Sequence, residues 1–546
     1  MIPTYRRMVL DGMARLASRL DRRRWSPTFG CFDREYWHYK TLLDFPRAVF
    51  QQGALATALL YRHPFPENPY AGSPEVLQWV RGAMEFWAGA RNADGSVNEW
   101  YPNEHSFCAT AYTAYAVSEA LILVGKDLDH ALVERLRTCL RTTAEWLAAH
   151  ANPWVANQMA ASLAALANVH HLTGEERLGL ACERRKAELL GMQDAEGWLT
   201  EYEGADIGYG FLTLDLLVHV WRRTQDVEVR RMADRLLAFL LYFVHPDGSV
   251  GGDYGSRSTT HCFPYGLEIL AAEGSEQACW ALQRVRAGIE QHRTPTPLTA
   301  DDTYAAYFYL NSFCQAGLAA SPVLPPGPAT VDRNRYFPGA GLLVRENAHY
   351  HAIVSTRGVW QAYGGGEVHG DSGYVAVGAD GTRLGSQFPG ATPACAPEEL
   401  GAGETRLTVT RRFVRLDTDV PLTRHAIAFK LFTRLVLRLP ALALPFAMLL
   451  KKRKILRARA GGIELHRAIR LSDRTISVED TLRLLDRAPV AALHAARGTA
   501  VPHSPSSQLF TPSVLPLANH DLWDAVEAGR VLTTDGCLSR RIVVDF

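Results

Sequence analysis

The sequence predicts an α+β protein of two domains, an N-terminal (α/α) toroid over residues 1–320 and a C-terminal antiparallel β-sandwich over residues 335–546. Three observations carry this expectation. Apolar residues recur at three- and four-residue spacing through the first part of the chain. That pattern stops at a Pro-rich stretch, and beyond it short runs alternate apolar with polar residues. At 546 residues the chain exceeds what one hydrophobic core normally supports, so two domains are expected on length alone.

The first element, "MIPTYRRMVLDGMARLASRLDRRRW", reads as an amphipathic Arg-rich helix. It lacks the continuous apolar stretch and small-residue cleavage site of a secretory signal. Nine dispersed cysteines with no C-x-x-C pair point away from a zinc ribbon and toward reduced thiols, so a cytoplasmic setting is expected. Helical periodicity continues through "HSFCATAYTAYAVSEALILVG", "NQMAASLAALANVHHLTG" and "FLTLDLLVHVWRRTQDVEVRRMADRLLAFLLYFV", each ending near Gly or a polar turn. Residues 321–334 are rich in Pro and cannot continue a helix, so they read as a linker. Strands follow in "GAGLLVREN", "HYHAIVST", "SGYVAVGADGTRL", "TRLTVTRRFVRLD" and "GIELHRAIRLSDRTISVEDTLRLL".

An apolar insertion, 431–454, interrupts the strand pattern. Its uninterrupted apolar part, Leu439 to Leu450, is shorter than the roughly 20 residues a membrane-spanning helix needs. Burial against the helical domain is the expectation. The alternative is a weak association with a membrane surface, in which Lys451, Lys452, Arg453 and Lys454 meet anionic headgroups.

Inside the helical half a short motif recurs. "DGSVNEWY" from Asp94, "EGWLTEYEG" from Glu196 and "DGSVGGDYG" from Asp247 each set an acid-Gly turn ahead of a carboxylate and an aromatic. Every copy falls between two helices, as loops gathered on one face of a toroid would. The formal charge of +1 supplies no field for nucleic acid, which is excluded as a partner.

Several segments resemble the heparinase II/III-like polysaccharide lyases. "ANPWVANQMAASLAALANVHHLTG" is similar to the helix that carries that family's catalytic Asn, often as Asn-His, and Asn157 is the matching residue. "DAEGWLTEYEGADIGYGFLTLDLL" resembles the segment D-G-x-x-x-E-x-S-x-x-Y-H, whose Tyr is the catalytic acid and base; the match is Tyr209. "HPDG" from His245 is similar to a loop of the family. "EVHGDSGYVAVGADGTRL" resembles its β-domain segment and matches at His369 and Asp371. The chain departs from the pattern where the family has His, at Gln158 and Gly210. "GGDYGSRST" lies outside the general pattern and marks a subgroup with its own substrate.

The resemblance implies β-elimination on a uronic-acid polysaccharide, with no cofactor required. Donors must neutralise the sugar carboxylate before the adjacent carbon gives up its proton. Asn157 and Arg257 suit that task. Tyr209 is the proton carrier. Its reference pKa of about 10 calls for a neighbouring cation, Arg257 or a protonated His. His105 and His369 are candidates for base or carboxylate clamp. Tyr254 and Arg257 sit among Gly251, Gly252 and Gly255, which free the loop to take unusual turns. Trp100, Tyr101, Glu201, Tyr202 and Asp253 are candidate substrate contacts, the aromatics by stacking on sugar rings. His369 and Asp371, with another His of the β domain, could hold a structural divalent metal. Two other readings compete with the lyase. One is a non-catalytic glycan-binding protein of polysaccharide assembly. The other is a glycoside hydrolase pairing Asp253 with Glu201 or Asp206.

Overall fold

The computed structural model describes residues 1–300 apart from 42 and 203, 309–325, 327, 332–386 apart from 379, 395–416 apart from 402, 423–439, 442, 445, 446, 460–485, 490–496, 520, 521, 532–534 and 537–546. The N-terminal part is helical and the C-terminal part is built of antiparallel sheets.

Among the described residues six helices form an inner layer: Gly53–Arg62, Phe107–Val124, Ala156–Thr173, Ile207–Thr224, Tyr265–Ala272 and Leu310–Ala319. Each touches the next, and the last touches the first, so the succession of contacts closes on itself. Ile2–Arg19, Pro74–Ala90, His130–Ala149, Glu176–Met192, Val227–Leu240 and Glu276–Glu290 cover this layer from outside. Composition explains the two layers. The inner Ala156–Thr173 buries Ala156, Ala160, Ala161, Ala164, Ala165 and Ala167 around its circumference, and such small side chains permit close approach on every side. The outer Val227–Leu240 buries only Val229, Met232, Ala233, Leu236, Leu237, Phe239 and Leu240, a stripe at helical spacing. Polar groups inside the inner layer are paired. Glu119 accepts from Arg223 at 2.7 Å, from Asn168 at 3.0 Å, and lies 3.1 Å from His219 Nε2; burial pushes its carboxyl up, and His219 and Arg223 outweigh it to hold the group down at about 2.

The recurring acid-Gly motif is a recurring structure. In Asn92–Ser96, Asp194–Trp198 and His245–Ser249 the first N–H donates to the fifth carbonyl, at 2.8, 2.9 and 2.9 Å. Gly95, Gly197 and Gly248 take φ of 92°, 103° and 80°. At Gly248 the requirement is double, because a Cβ would stand 2.2 Å from the Arg284 carbonyl oxygen of the adjacent outer helix. Each turn delivers the chain to the N-terminus of an inner helix: Phe107, Ile207 or Tyr265.

Among the described residues the β domain has a five-stranded sheet in sequential order from Arg335–Phe337 to Glu367–Asp371, and a ten-stranded sheet centred on Glu404–Arg415, Ala460–Leu471 and Thr475–Leu484. The smaller sheet lies between two apolar partners. Tyr350, Ala352, Val354 and Trp360 pack with Leu407, Val409, Ile469 and Val478 of the larger sheet. Phe337, Leu342, Val344 and Ile353 join the core of the helical domain. That arrangement explains why Tyr350–Ser355 is buried at all six positions instead of alternating.

Arg467 anchors the larger sheet. It is fully buried and forks onto Asp480 at 2.6 and 2.7 Å, with further bonds to Asp371 at 3.0 Å and the Gly358 carbonyl at 2.5 Å. A helix, Thr423–Leu435, runs into the insertion; residues 440, 441, 443, 444 and 447–454, Lys451–Lys454 among them, lie outside the described residues. Burial against the helical domain is true of Leu437, which is fully buried, while Leu431, Leu435 and Leu439 are exposed.

Candidate active site

Asp206 organises the site. Its carboxylate caps the helix Ile207–Thr224 by accepting from Tyr209 N at 3.1 Å, as a short side chain whose oxygen reaches the N–H groups of the first turn is suited to do. The same carboxylate accepts from Arg257 N at 2.8 Å, Thr259 N at 3.3 Å and the Thr259 hydroxyl. One buried side chain thus ties Tyr209 to the loop carrying Arg257, 51 positions away. Gly208 makes the approach possible, since a Cβ there would lie 2.3 Å from Thr259 Oγ1. Burial holds the Asp206 carboxyl above its ordinary range despite these donors.

Asn157, at the start of Ala156–Thr173, is 4% exposed. Its carbonyl oxygen accepts from the Tyr112 hydroxyl at 2.8 Å, and its Nδ2 and backbone N donate to the two oxygens of Glu201, both at 2.8 Å. One amide N–H remains for another acceptor. Burial pushes Glu201 up to about 8, with the Asn157 donors and Arg257 pulling the other way. It therefore keeps its proton at neutral pH. Glu201 is a positioning group for Asn157, and at 1% exposure it is closed to a substrate contact.

The Arg257 guanidinium lies 4.3 Å from the centre of the Tyr202 ring. Among the described residues it makes no ion pair, and its Nε is buried without a hydrogen-bond partner. Tyr202 has φ of 51° and is itself mostly buried, which raises its hydroxyl to about 12. A second guanidinium enters from the β domain: Arg357 Nη1 donates to the Gly255 carbonyl at 2.9 Å, and a Cβ on Gly204 would lie 2.7 Å from its Nη2. Burial and the neighbouring Arg411 bring Arg357 down to about 10, so it stays cationic at neutral pH.

Tyr209 is half-buried, its ring 5.6 Å from that of His261. His261 is bonded through Nδ1 to the Tyr309 hydroxyl at 2.5 Å. Burial drives this imidazole down to about 3, so it is neutral and supplies no charge to Tyr209.

The remaining sequence candidates divide. Tyr254 is a packing residue: it is 1% exposed, stacks on Phe243 and meets His245 Nε2 through its hydroxyl at 2.8 Å. The glycines around it let the loop turn the phenol inward, three residues before Arg257. His105 belongs to the first acid-Gly turn, with Nδ1 2.7 Å from both Asp94 and Ser96 and φ of 53°. His369 faces Glu367 at 3.5 Å and the Phe546 ring. Asp371 receives Arg467 and, at 3.3 Å, Arg540. His369 and Asp371 are therefore engaged separately, and no cluster of metal-ligating residues stands among the described residues. Asp253 accepts from the Ser372 hydroxyl of the β domain, which pins the loop across the domain boundary. Trp100 projects into solvent at 73% exposure, and Tyr101 is half-buried beside it. Of the carboxylates that the hydrolase reading pairs with Asp253, Glu201 is 1% exposed and bonded to Asn157, and Asp206 is 3% exposed and bonded to Tyr209, Arg257 and Thr259.

Both departures from the lyase pattern have local reasons. A Cβ at Gly210 would lie 2.9 Å from Leu240 Cδ2, so a His there would displace the outer helix's side chain. Gln158 is turned to Asn152, whose Nδ2 donates to it at 2.9 Å. Tyr112, Arg357, His261 and Tyr309 were outside the sequence reading, and only the N-cap position of Asp206 carried a local signal.

No family model and no curated protein matches this chain. Solved structures do. The chondroitin AC lyase of Streptomyces coelicolor A3, in complex with chondroitin sulphate, superposes with a TM-score of 0.58 at 12% identity, over 90% of this chain and 68% of that one. A mutant of the same lyase gives 0.51 at 10% identity, over 90% and 69%. A Paenibacillus xanthan lyase gives 0.48 at 8% identity, over 90% and 46%. The chain has a polysaccharide-lyase-like fold, a helical domain followed by antiparallel sheets, with no preference for one lyase subgroup.

Proposed function

We propose that this protein is a polysaccharide lyase that cleaves a uronic-acid-containing glycan by β-elimination. In this reading the inner helices form a closed α/α toroid, and the cleft lies over their N-terminal ends. The observation that carries the proposal is the Arg257 guanidinium, held beside Tyr202 with no carboxylate partner among the described residues, its loop tied through Asp206 to Tyr209. A cation so placed fits a substrate carboxylate.

In the reaction Arg257, with Arg357 and the remaining Asn157 N–H, neutralises the uronate carboxylate and lowers the barrier to carbanion character at C5. Tyr209 takes the C5 proton, the electron pair forms the C4–C5 double bond, and the C4–O bond breaks. Tyr209 then returns the proton to the departing oxygen. Protonated Glu201 holds Asn157 in place without adding a competing negative charge. The fold shared with a chondroitin lyase supports a glycan substrate, and no cofactor takes part in these steps.

The test is incubation with a panel of uronate polysaccharides while following the ultraviolet absorbance of the unsaturated uronate. Absorbance should rise on at least one substrate, and Tyr209→Phe should abolish the rise while retaining glycan binding. New reducing ends without absorbance would refute elimination in favour of hydrolysis.

A further inference from the structure

We propose that the helix Thr423–Leu435, with the residues that follow it to Leu439, is a docking surface for an anionic lipid bilayer, placed beside the mouth of the candidate site. Its composition is one-sided. From Val420 to Ile463 the chain carries ten Lys or Arg and no Asp or Glu, in a protein whose overall charge is balanced. A run of that kind has no intrinsic counter-charge and seeks one outside itself.

The structure adds an apolar face. On the helix Thr423–Leu435, Ile427, Leu431 and Leu435 recur every fourth residue and are 56%, 55% and 69% exposed. Leu439 continues the exposed row past the helix end, and Phe429 is also exposed. Arg424 and Lys430 on the same helix are exposed, and among the described residues neither makes an ion pair. Apolar side chains flanked by cations are the composition of a helix lying in the plane of a membrane interface. A contiguous exposed patch of this sort is costly for a protein that keeps it in water.

Its position is defined from the other side. Leu437 is buried against the helical domain, Asn103 Nδ2 donates to its carbonyl at 2.8 Å, and Arg438 pairs with Asp44 at 2.9 Å. Asn103 belongs to the loop that carries Trp100, and Asp44 follows Tyr39; these two aromatics are 73% and 83% exposed. An exposed Trp on the loop bonded to Leu437 is suited to the headgroup layer. The insertion is thus fastened to a loop at the candidate site while its apolar row points outward. A bilayer seated there would present its surface glycans to that end of the helical domain.

The experiment is flotation of the full-length protein with phosphatidylcholine vesicles, with and without phosphatidylglycerol. Protein should float with the anionic vesicles and stay behind with the neutral ones, and raised salt should weaken the association. The triple variant Ile427→Ser, Leu431→Ser, Leu435→Ser should lose at least tenfold in vesicle affinity with an unchanged melting curve. The charge variant Arg424→Glu, Lys430→Glu should lose the preference for anionic lipid. Absence of flotation, equal flotation with both vesicle types, or a row covered by self-association in sedimentation velocity would overturn the proposal. These readouts need no glycan turnover, so they stand or fall apart from the lyase reading.

Discussion

Asp206→Asn is the sharpest probe of how the site is assembled. The substitution keeps size and shape, and it keeps one oxygen that can still cap the helix at Tyr209 N. The other position becomes an amide, which presents N–H groups to the backbone N–H of Arg257 and Thr259, now accepted at 2.8 and 3.3 Å. Each buried N–H left without an acceptor costs about 1–3 kcal/mol, so holding the Arg257 loop against the helix should weaken by about 2–6 kcal/mol. Loop opening then rises by at least about 30-fold, since 1.4 kcal/mol is a factor of ten. Arg257 is a trypsin site, which makes the opening measurable as the rate of cleavage between Arg257 and Ser258 under native conditions. The variant should be nicked there at least thirtyfold faster than the parent, with cleavage elsewhere unchanged. Equal nicking rates would show that Asp206 does not hold the loop, and the link from Tyr209 to Arg257 would fail with it.

Two further outcomes follow from buried charge. Arg467→Met leaves Asp480 and Asp371 buried without their shared cation and should cost about 3–5 kcal/mol, read as a lower urea midpoint; a midpoint within error of the parent would remove Arg467 as the anchor of the larger sheet. Burial raises the Asp215 carboxyl to about 7, so the folded state holds its proton between the unfolded range near 4 and pH 7, and the stabilising effect of that proton is lost as pH rises through 7. Asp215→Asn removes this dependence, so the variant's stability relative to the parent should increase by about 2–3 kcal/mol between pH 5 and pH 8, at about 1.4 kcal/mol per unit up to pH 7. Thermal melts at the two pH values would show it, and a constant gap would contradict it.

The site was legible where its signals are local. The acid-Gly turns recur in the sequence and take left-handed backbone at Gly95, Gly197 and Gly248, whereas Asp206, named from the sequence only as a hydrolase carboxylate, proves to be the cap of Ile207–Thr224. Asn157 and Tyr209 were identified by likeness, and the structure joins each to the 201–206 loop. Tyr254 shows the limit. It is three residues from Arg257 in the same glycine-rich loop, and nothing in that spacing tells which side chain turns inward. The answer depends on Phe243 and His245 waiting in the interior.

What the sequence determined by itself was the order of helices and strands, the break between them and the repeated turns, because periodicity and glycine conformation act over a few residues. The tertiary structure decided which charges face each other. Arg357 reaches the Gly255 carbonyl across 102 positions, and Ser372 reaches Asp253 across 119. It also decided protonation. Glu201 and His261 have ordinary intrinsic affinities for a proton, and burial moves the first up to about 8 and the second down to about 3. Desolvation is a property of everything packed around a group, so it exists only once the chain has folded.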